Sequence, residues 1–204
     1  MKFGILLSLG LLLAAEAPAA TIVSRDGTLG LAVGTRLAVA SWTQSDTFTN
    51  VNISAIYSSQ QSTPGAGTFY LTDDIGPGTT AAANEVASVQ LLNVPTGAAL
   101  QTVFSGLTLG PGTYYLSLAR DLPGVPVTWY SVSSPVVTTA NGVNLESDRI
   151  SASLDPTYSP ASATSVFAAN LAFIVTGDVV VAPEPGTLGL LALAGVSLLL
   201  KRRG

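Results

Sequence analysis

Through the middle of this chain, hydrophobic positions recur with a period of two. Val51, Ile53, Ala55 and Tyr57 alternate with Asn50, Asn52 and Ser54. Successive side chains of a strand point to opposite faces, so this alternation predicts a half-buried β-strand. The stretch 36–42 alternates too, with Leu37 and Val39 on one face. Further strands are expected over 68–72, 85–92, 100–104, 113–119, 127–132 and 136–139. The last is expected over 166–176, where Phe167, Ala169, Leu171, Phe173 and Val175 would share a face. Glycine and proline clusters punctuate the intervals, and no part of residues 21–178 keeps a helical period for long. Short strands between turns predict an all-β domain, an antiparallel β-sandwich of jelly-roll or Ig-like type.

Both ends depart from this pattern. Lys2 is the only charge ahead of a leucine-rich run over 3–15, and small residues follow at Ala17, Ala19 and Ala20. A positive start, a short apolar core and small residues describe a secretory signal peptide. Signal peptidase is expected to cut after Ala19 or Ala20, because Pro18 disfavours a cut after Ala17. Towards the other end, Pro183, Glu184 and Pro185 lead into an uncharged apolar run over 186–200, followed by Lys201, Arg202 and Arg203. As a helix that run covers about 22 Å at 1.5 Å per residue, against ~30 Å for a bilayer core. It is expected to be a short transmembrane helix whose basic residues snorkel and stay cytoplasmic, leaving the body outside. The expected organisation is a signal peptide over 1–20, a β-sandwich domain over 21–178, a linker over 179–186, and a helix with its basic tail over 187–204.

The arrangement of a Pro-Glu-Pro tripeptide, an apolar helix and a basic stop resembles a PEP-CTERM sorting signal. Pro183, Glu184 and Pro185 match the recognition motif, 186–200 matches the helix, and Lys201, Arg202 and Arg203 match the basic end. The resemblance covers about a tenth of the chain. It implies a signal peptide, a variable body and recognition by an exosortase, a membrane-embedded enzyme of Gram-negative bacteria that make extracellular polysaccharide. It also implies transient anchoring in the inner membrane, then transfer to the envelope or the extracellular matrix. The motif suits such handling, because each proline fixes its own φ and biases the preceding residue away from the helical region. The segment is thereby held extended with one charge, Glu184, to be read.

Composition narrows the chemistry. Residues 21–182 carry four arginines against ten carboxylates, a formal charge of −6, and no lysine. Scattered cations on an acidic body exclude a nucleic-acid partner of the usual kind, which needs clustered basic charge. The chain has no cysteine and no histidine. That excludes disulfides, thiolate and imidazole catalysis, and the usual zinc and iron sites. Carboxylate pairs and oxygen-ligated calcium are what is left.

No metal or cofactor is expected. Asp73 and Asp74 are weak calcium candidates in a turn, where aspartate also serves to bond nearby backbone N–H groups. Glu146, Asp148 and Arg149 are expected in a solvated loop. Trp42 and Trp129 are candidates for contact with sugar, with Tyr57, Tyr70 and Tyr130 as further aromatics. The stretch 106–118 resembles the tyrosine-corner region of extracellular sandwich domains, with Tyr114 or Tyr115 bonding back to the backbone. The leading expectation is an exported, non-enzymatic surface or matrix protein. The alternatives are a carbohydrate-binding module of the exopolysaccharide matrix and a carboxylate-based glycan hydrolase.

Overall fold

A computed structural model describes residues 19–180 of the chain. The expected signal peptide, the Pro183–Glu184–Pro185 motif, the apolar run expected as a helix and the Lys201–Arg203 stop lie outside the described residues. Within them, no helix is long and apolar enough to cross a membrane.

The chain forms β1 (Ala20–Val33), β2 (Leu37–Gln44), β3 (Phe48–Ser59) and β4 (Gly65–Thr72), then a single helical turn α1 (Ala81–Asn84). It continues through β5 (Glu85–Val94), β6 (Ala99–Leu109), β7 (Gly112–Ala119), β8 (Val127–Thr139), β9 (Val143–Leu145) and β10 (Arg149–Ser151). A 3-10 turn at Ser159–Ser162 precedes β11 (Ser165–Val166) and β12 (Phe173–Val179). All strand-to-strand ladders are antiparallel. One sheet runs β12-β1-β8-β3-β6; the other runs β11-β10-β2-β7-β4-β5, with β9 also on β2. The fold is all-β, with two antiparallel sheets enclosing one core.

That core draws on both sheets. Phe48, Ile53, Trp129 and Phe173 come from the first, and Trp42, Phe69, Leu71 and Leu116 from the second. Val51, Ile53, Ala55 and Tyr57 are all buried on the face that their alternation predicts. β2 is different, since nearly all of it is buried. Ala38, Ala40 and Trp42 face the main core, whereas Leu37 and Val39 form a second cluster with Ala119 and Ala163 on the outer side. The excursion between β9 and β12 lies over that outer side and covers it, so β2 has a near-continuous apolar run, as strands covered on both faces do.

Two strand expectations are corrected, and one strand was not expected. The segments 127–132 and 136–139 are one strand, β8, running through Pro135. Pro135 pairs with Gly27, beside a register shift in the β1–β8 ladder, and such irregularities are where a sheet admits proline. A Cβ at Gly27 would lie 2.2 Å from the Ser134 carbonyl oxygen, so the crossing needs glycine. The single strand expected over 166–176 is split into β11 and β12. Asn170, between the two strands, has φ of 51°, in the left-handed region. Phe167 is half exposed, while Ala169, Leu171, Phe173 and Val175 are buried. Finally, β1 is the longest strand of the described chain yet carries no clean alternation; Arg25-Asp26-Gly27-Thr28 interrupts it.

β12 wedges between its neighbours. Phe173 through Val179 pair with β3 on one side, and Phe173 through Gly177 pair with β1 on the other. Gly177 sits in that wedge, where an added Cβ would meet Ile22, Thr49 and Val51 atoms at 3.0 Å.

Candidate functional site

A polar cleft lies on the outer side of the second sheet. Its volume is about 370 Å³, and its walls include Arg36, Tyr70, Arg120, Asp121, Asp155 and Tyr158. Asp121 directly follows Arg120 past the end of β7, and its carboxylate organises the cleft floor. One oxygen accepts from the Thr68 hydroxyl at 2.8 Å. The other accepts from the Tyr70 hydroxyl at 2.5 Å and the Ser159 hydroxyl at 3.0 Å. Thr68 and Tyr70 are alternate residues of β4 and so project to the same side. Ser159 is delivered by the 3-10 turn, and Tyr158 beside it donates to Glu85 at 2.9 Å. The Tyr70 and Tyr158 rings meet edge to face, with centroids 5.5 Å apart. Burial, then the hydrogen bond to Asp121 and its charge, pushes the Tyr70 phenol well above its ordinary value. Burial and then Glu85 do the same to Tyr158.

The rim carries unpaired charge. Arg120 donates to the carbonyls of Val127 and Val33, to Thr128 and to Gln60, all neutral acceptors. Its backbone N–H donates to the Arg36 carbonyl at 2.9 Å, one step beyond the Leu37–Ala119 pair, so the two arginines face each other across the ladder end. Burial, and then the Arg36 charge, lowers the Arg120 guanidinium below its ordinary value. Elsewhere in the cleft lining, one Asp155 oxygen accepts from the Thr157 hydroxyl and from the backbone N–H groups of Thr157 and Tyr158. Those bonds, the Thr157 hydroxyl first, hold the Asp155 carboxyl below the usual carboxylate range. The carboxylates of this cleft serve as acceptors for fixed hydroxyl and amide donors, an arrangement that orients polar side chains around a concavity.

Of the residues of this cleft, the sequence singled out only Tyr70, as one of the further aromatics. The cleft residues come from β4, the ends of β2 and β7, and the excursion after β10, and no local spacing links them. The nearest available signal was that Arg36 and Arg120 stand at the ends of two apolar strands.

The aromatic expectation is corrected. Trp42 and Trp129 are both fully buried, so neither offers a face to a sugar. Trp42 Nε1 donates to Gln44 at 3.0 Å and Trp129 Nε1 to the Ala172 carbonyl at 2.7 Å, which satisfies both inside the core. Tyr57 is also core, packed edge-on against Phe69. The solvated-loop expectation for Glu146, Asp148 and Arg149 is corrected in part. Glu146 is exposed, but Arg149 opens β10 and pairs with Val39 of β2, and Asp148 is buried. Asp148 Oδ2 meets the Arg25 guanidinium at 2.5 Å and accepts from the Leu171 N–H at 3.0 Å. Desolvation raises the Asp148 carboxyl above its ordinary value, against the pull of Arg25. This is the single ion pair among the described residues.

Asp73 and Asp74 lie exposed in the turn after β4. Asp73 accepts from the Asn84 amide at 3.0 Å and Asp74 from the Ile75 N–H at 2.8 Å, which are turn-forming contacts. Among the described residues no three acidic side chains converge as a metal would require, and calcium takes 6–8 oxygens. Ala19 is exposed just ahead of β1, and Ala20 opens that strand. Comparison with protein-family models, with curated proteins and with solved structures finds no match to this chain.

Proposed function

We propose that this is an exported, non-enzymatic protein of the cell surface or extracellular matrix, sorted by an exosortase through its PEP-CTERM tail. The observation that carries the reading is the order of the three parts: Pro183-Glu184-Pro185, an uncharged run over 186–200, and Lys201, Arg202 and Arg203. The extent of the folded body supports it. Among the described residues the strands run from Ala20, beside the expected signal-peptidase cut, to Val179. Ala20 pairs with Gly177, so the two processing sites would leave from the same end of one sheet. Val180 makes a backbone bond to Thr47 at 3.0 Å, and the motif begins three residues later. The body would then be held outside the inner membrane until the cut. The Ig-like variant of the sandwich is favoured over a jelly roll by Tyr114, whose hydroxyl bonds back to Gly110 in the manner of a tyrosine corner.

Replacing Glu184 by Ala in a host that carries an exosortase tests the sorting reading. The expected result is an uncut, membrane-held form of higher mass. Unchanged mature mass and location would overturn it.

A further inference from the structure

One edge of the second sheet is open. β5 ends its strand order, and among the described residues no strand pairs with the side of β5 that faces away from β4. Such an edge presents unpaired N–H and C=O groups, and folded proteins blunt it with short strands, bulges, proline or charge. The other sheet ends use these devices. β11 is two residues long, while β6 runs against β3 through three register shifts and has Gly106 in left-handed backbone. The middle of β5 uses none of them. Ala87 to Leu91 pair with Leu71 to Gly67 in unbroken register, and neither proline nor charge occurs from Val86 to Val94.

Charge limits what can approach this edge. Residues 21–182 carry a formal charge of −6, so two copies of the body repel over most of their surface. From Val86 through Ala119, however, no residue is charged. The chain passes from β5 directly into β6, the edge of the other sheet, so the strands of this flank are neutral beyond Glu85.

The pattern along β5 selects the occupant. Laid antiparallel on a second copy of itself and centred on Val89, the strand sets Val89 against Val89, Ala87 against Leu91, Ser88 against Gln90, and Val86 against Leu92. Apolar meets apolar and polar meets polar at each of these positions, which is how directly opposed side chains support a sheet. Neighbouring registers lose this match. Centring on Gln90 sets Ser88 against Leu92, and centring on Ser88 sets Glu85 against Leu91. A one-residue slip would turn one copy's inner face outward. The side chains also have room for a partner. Ala87, Val89 and Leu91 pack on the core but are only partly buried, and Val86 and Leu92 are exposed on the other face.

We infer that β5 is a homotypic docking edge: two copies pair antiparallel through Val86–Leu92 about a two-fold axis at Val89, joining their second sheets into one. The register shifts at both ends of the β4–β5 ladder, and Asn93 in left-handed backbone, confine the pairing to this stretch. The inference rests on the strand alone, so failure of the Glu184→Ala experiment leaves it untouched.

The chain has no cysteine, so an introduced thiol reports a single position. Full-length protein in detergent micelles would be oxidised with copper phenanthroline, and disulfide-linked dimer followed by non-reducing electrophoresis. Opposed Cα atoms of antiparallel strands lie about 4.5–5.5 Å apart, within disulfide reach. Val89→Cys should therefore link about tenfold faster or more than Thr102→Cys, an exposed position on β6. Ser88→Cys and Gln90→Cys lie on the exposed face and decide the matter if Val89→Cys does not fold. Each alone meets its own copy only diagonally, at about 7–8 Å, so their mixture should link faster than either alone. In the Val89→Cys background, Ser88→Lys with Gln90→Lys opposes lysine to lysine and should slow linkage about tenfold, whereas Ser88→Glu with Gln90→Lys opposes unlike charges and should restore it. Three outcomes would overturn the inference: folded Val89→Cys linking no faster than Thr102→Cys, the mixed thiols linking no faster than each alone, or the double-lysine variant linking as fast as its charge-complementary counterpart.

Discussion

The Tyr114 hydroxyl donates to the Gly110 carbonyl at 2.9 Å, four residues back along the chain. The ring of Tyr114 stacks on Trp42, with centroids 5.8 Å apart. Trp42 donates in turn to Gln44, whose amide reaches the Leu109 and Gly110 carbonyls at 3.1 and 2.9 Å. The turn between β6, in one sheet, and β7, in the other, is thereby tied to β2. A turn that must pass the chain between sheets has no ladder of its own, and these side chains replace the missing backbone bonds.

Tyr114→Phe keeps the ring and loses the hydroxyl. Gly110 retains its bond from Gln44, so no carbonyl is orphaned, and the expected loss is about 1 kcal/mol. Tyr114→Ala removes the packing on Trp42 as well and should cost about 3–5 kcal/mol. Denaturant midpoints at unchanged slope would measure both. Equal losses for the two variants would mean that the ring contributes nothing.

The corner was legible from sequence because its residues are contiguous: 106–118 holds the turn, the apolar pair and the tyrosine. β3 was legible for the same reason, since its alternation is unbroken from Val51 to Tyr57. The β11–β12 break was not, because Asn170 in left-handed backbone looks in sequence like one more polar position in an alternating run. β1 was hidden by Arg25, which reads as surface yet is buried against Asp148, 123 residues away. The tryptophans misled for a related reason. Their indole N–H groups suit surfaces, and only the positions of Gln44 and Ala172 in space show that the core satisfies them. Local pattern conveys which residues form strands; it does not convey what a folded excursion such as 146–166 will cover.

Arg25 and Asp148 tie β1 of one sheet to the segment before β10 of the other. Both are almost fully buried, and Asp148 Oδ1 has no partner. Removing one member leaves the other charged in a dry site, so Asp148→Ala should cost about 3–5 kcal/mol. Replacing both by apolar residues of similar volume should recover most of that loss, because the desolvation penalty disappears along with the attraction. Urea denaturation of the single and double variants decides this. A double variant as unstable as Asp148→Ala would show that the pair is worth more than its desolvation.

Three buried tyrosines and the half-buried Tyr70 make stability fall at alkaline pH. Burial raises the Tyr57, Tyr70, Tyr114 and Tyr158 phenols above their ordinary value, and for Tyr70 and Tyr158 the neighbouring carboxylates Asp121 and Glu85 add to the shift. A group harder to ionise in the folded chain than in the unfolded one stabilises the fold while it is protonated in both. That contribution is complete below the unfolded value of ~10. It is lost as pH rises above that value, because the unfolded chain releases protons that the folded chain holds. Absorbance titration should therefore show these four phenolates appearing only together with loss of the folded circular-dichroism signal. Tyr70→Phe should remove part of the alkaline slope, and it should also leave Asp121 with fewer donors, lowering stability at neutral pH by about 1–3 kcal/mol. Reversible ionisation of all six tyrosines in the folded state, with no change in the melt between neutral and alkaline pH, would contradict the buried hydroxyl network.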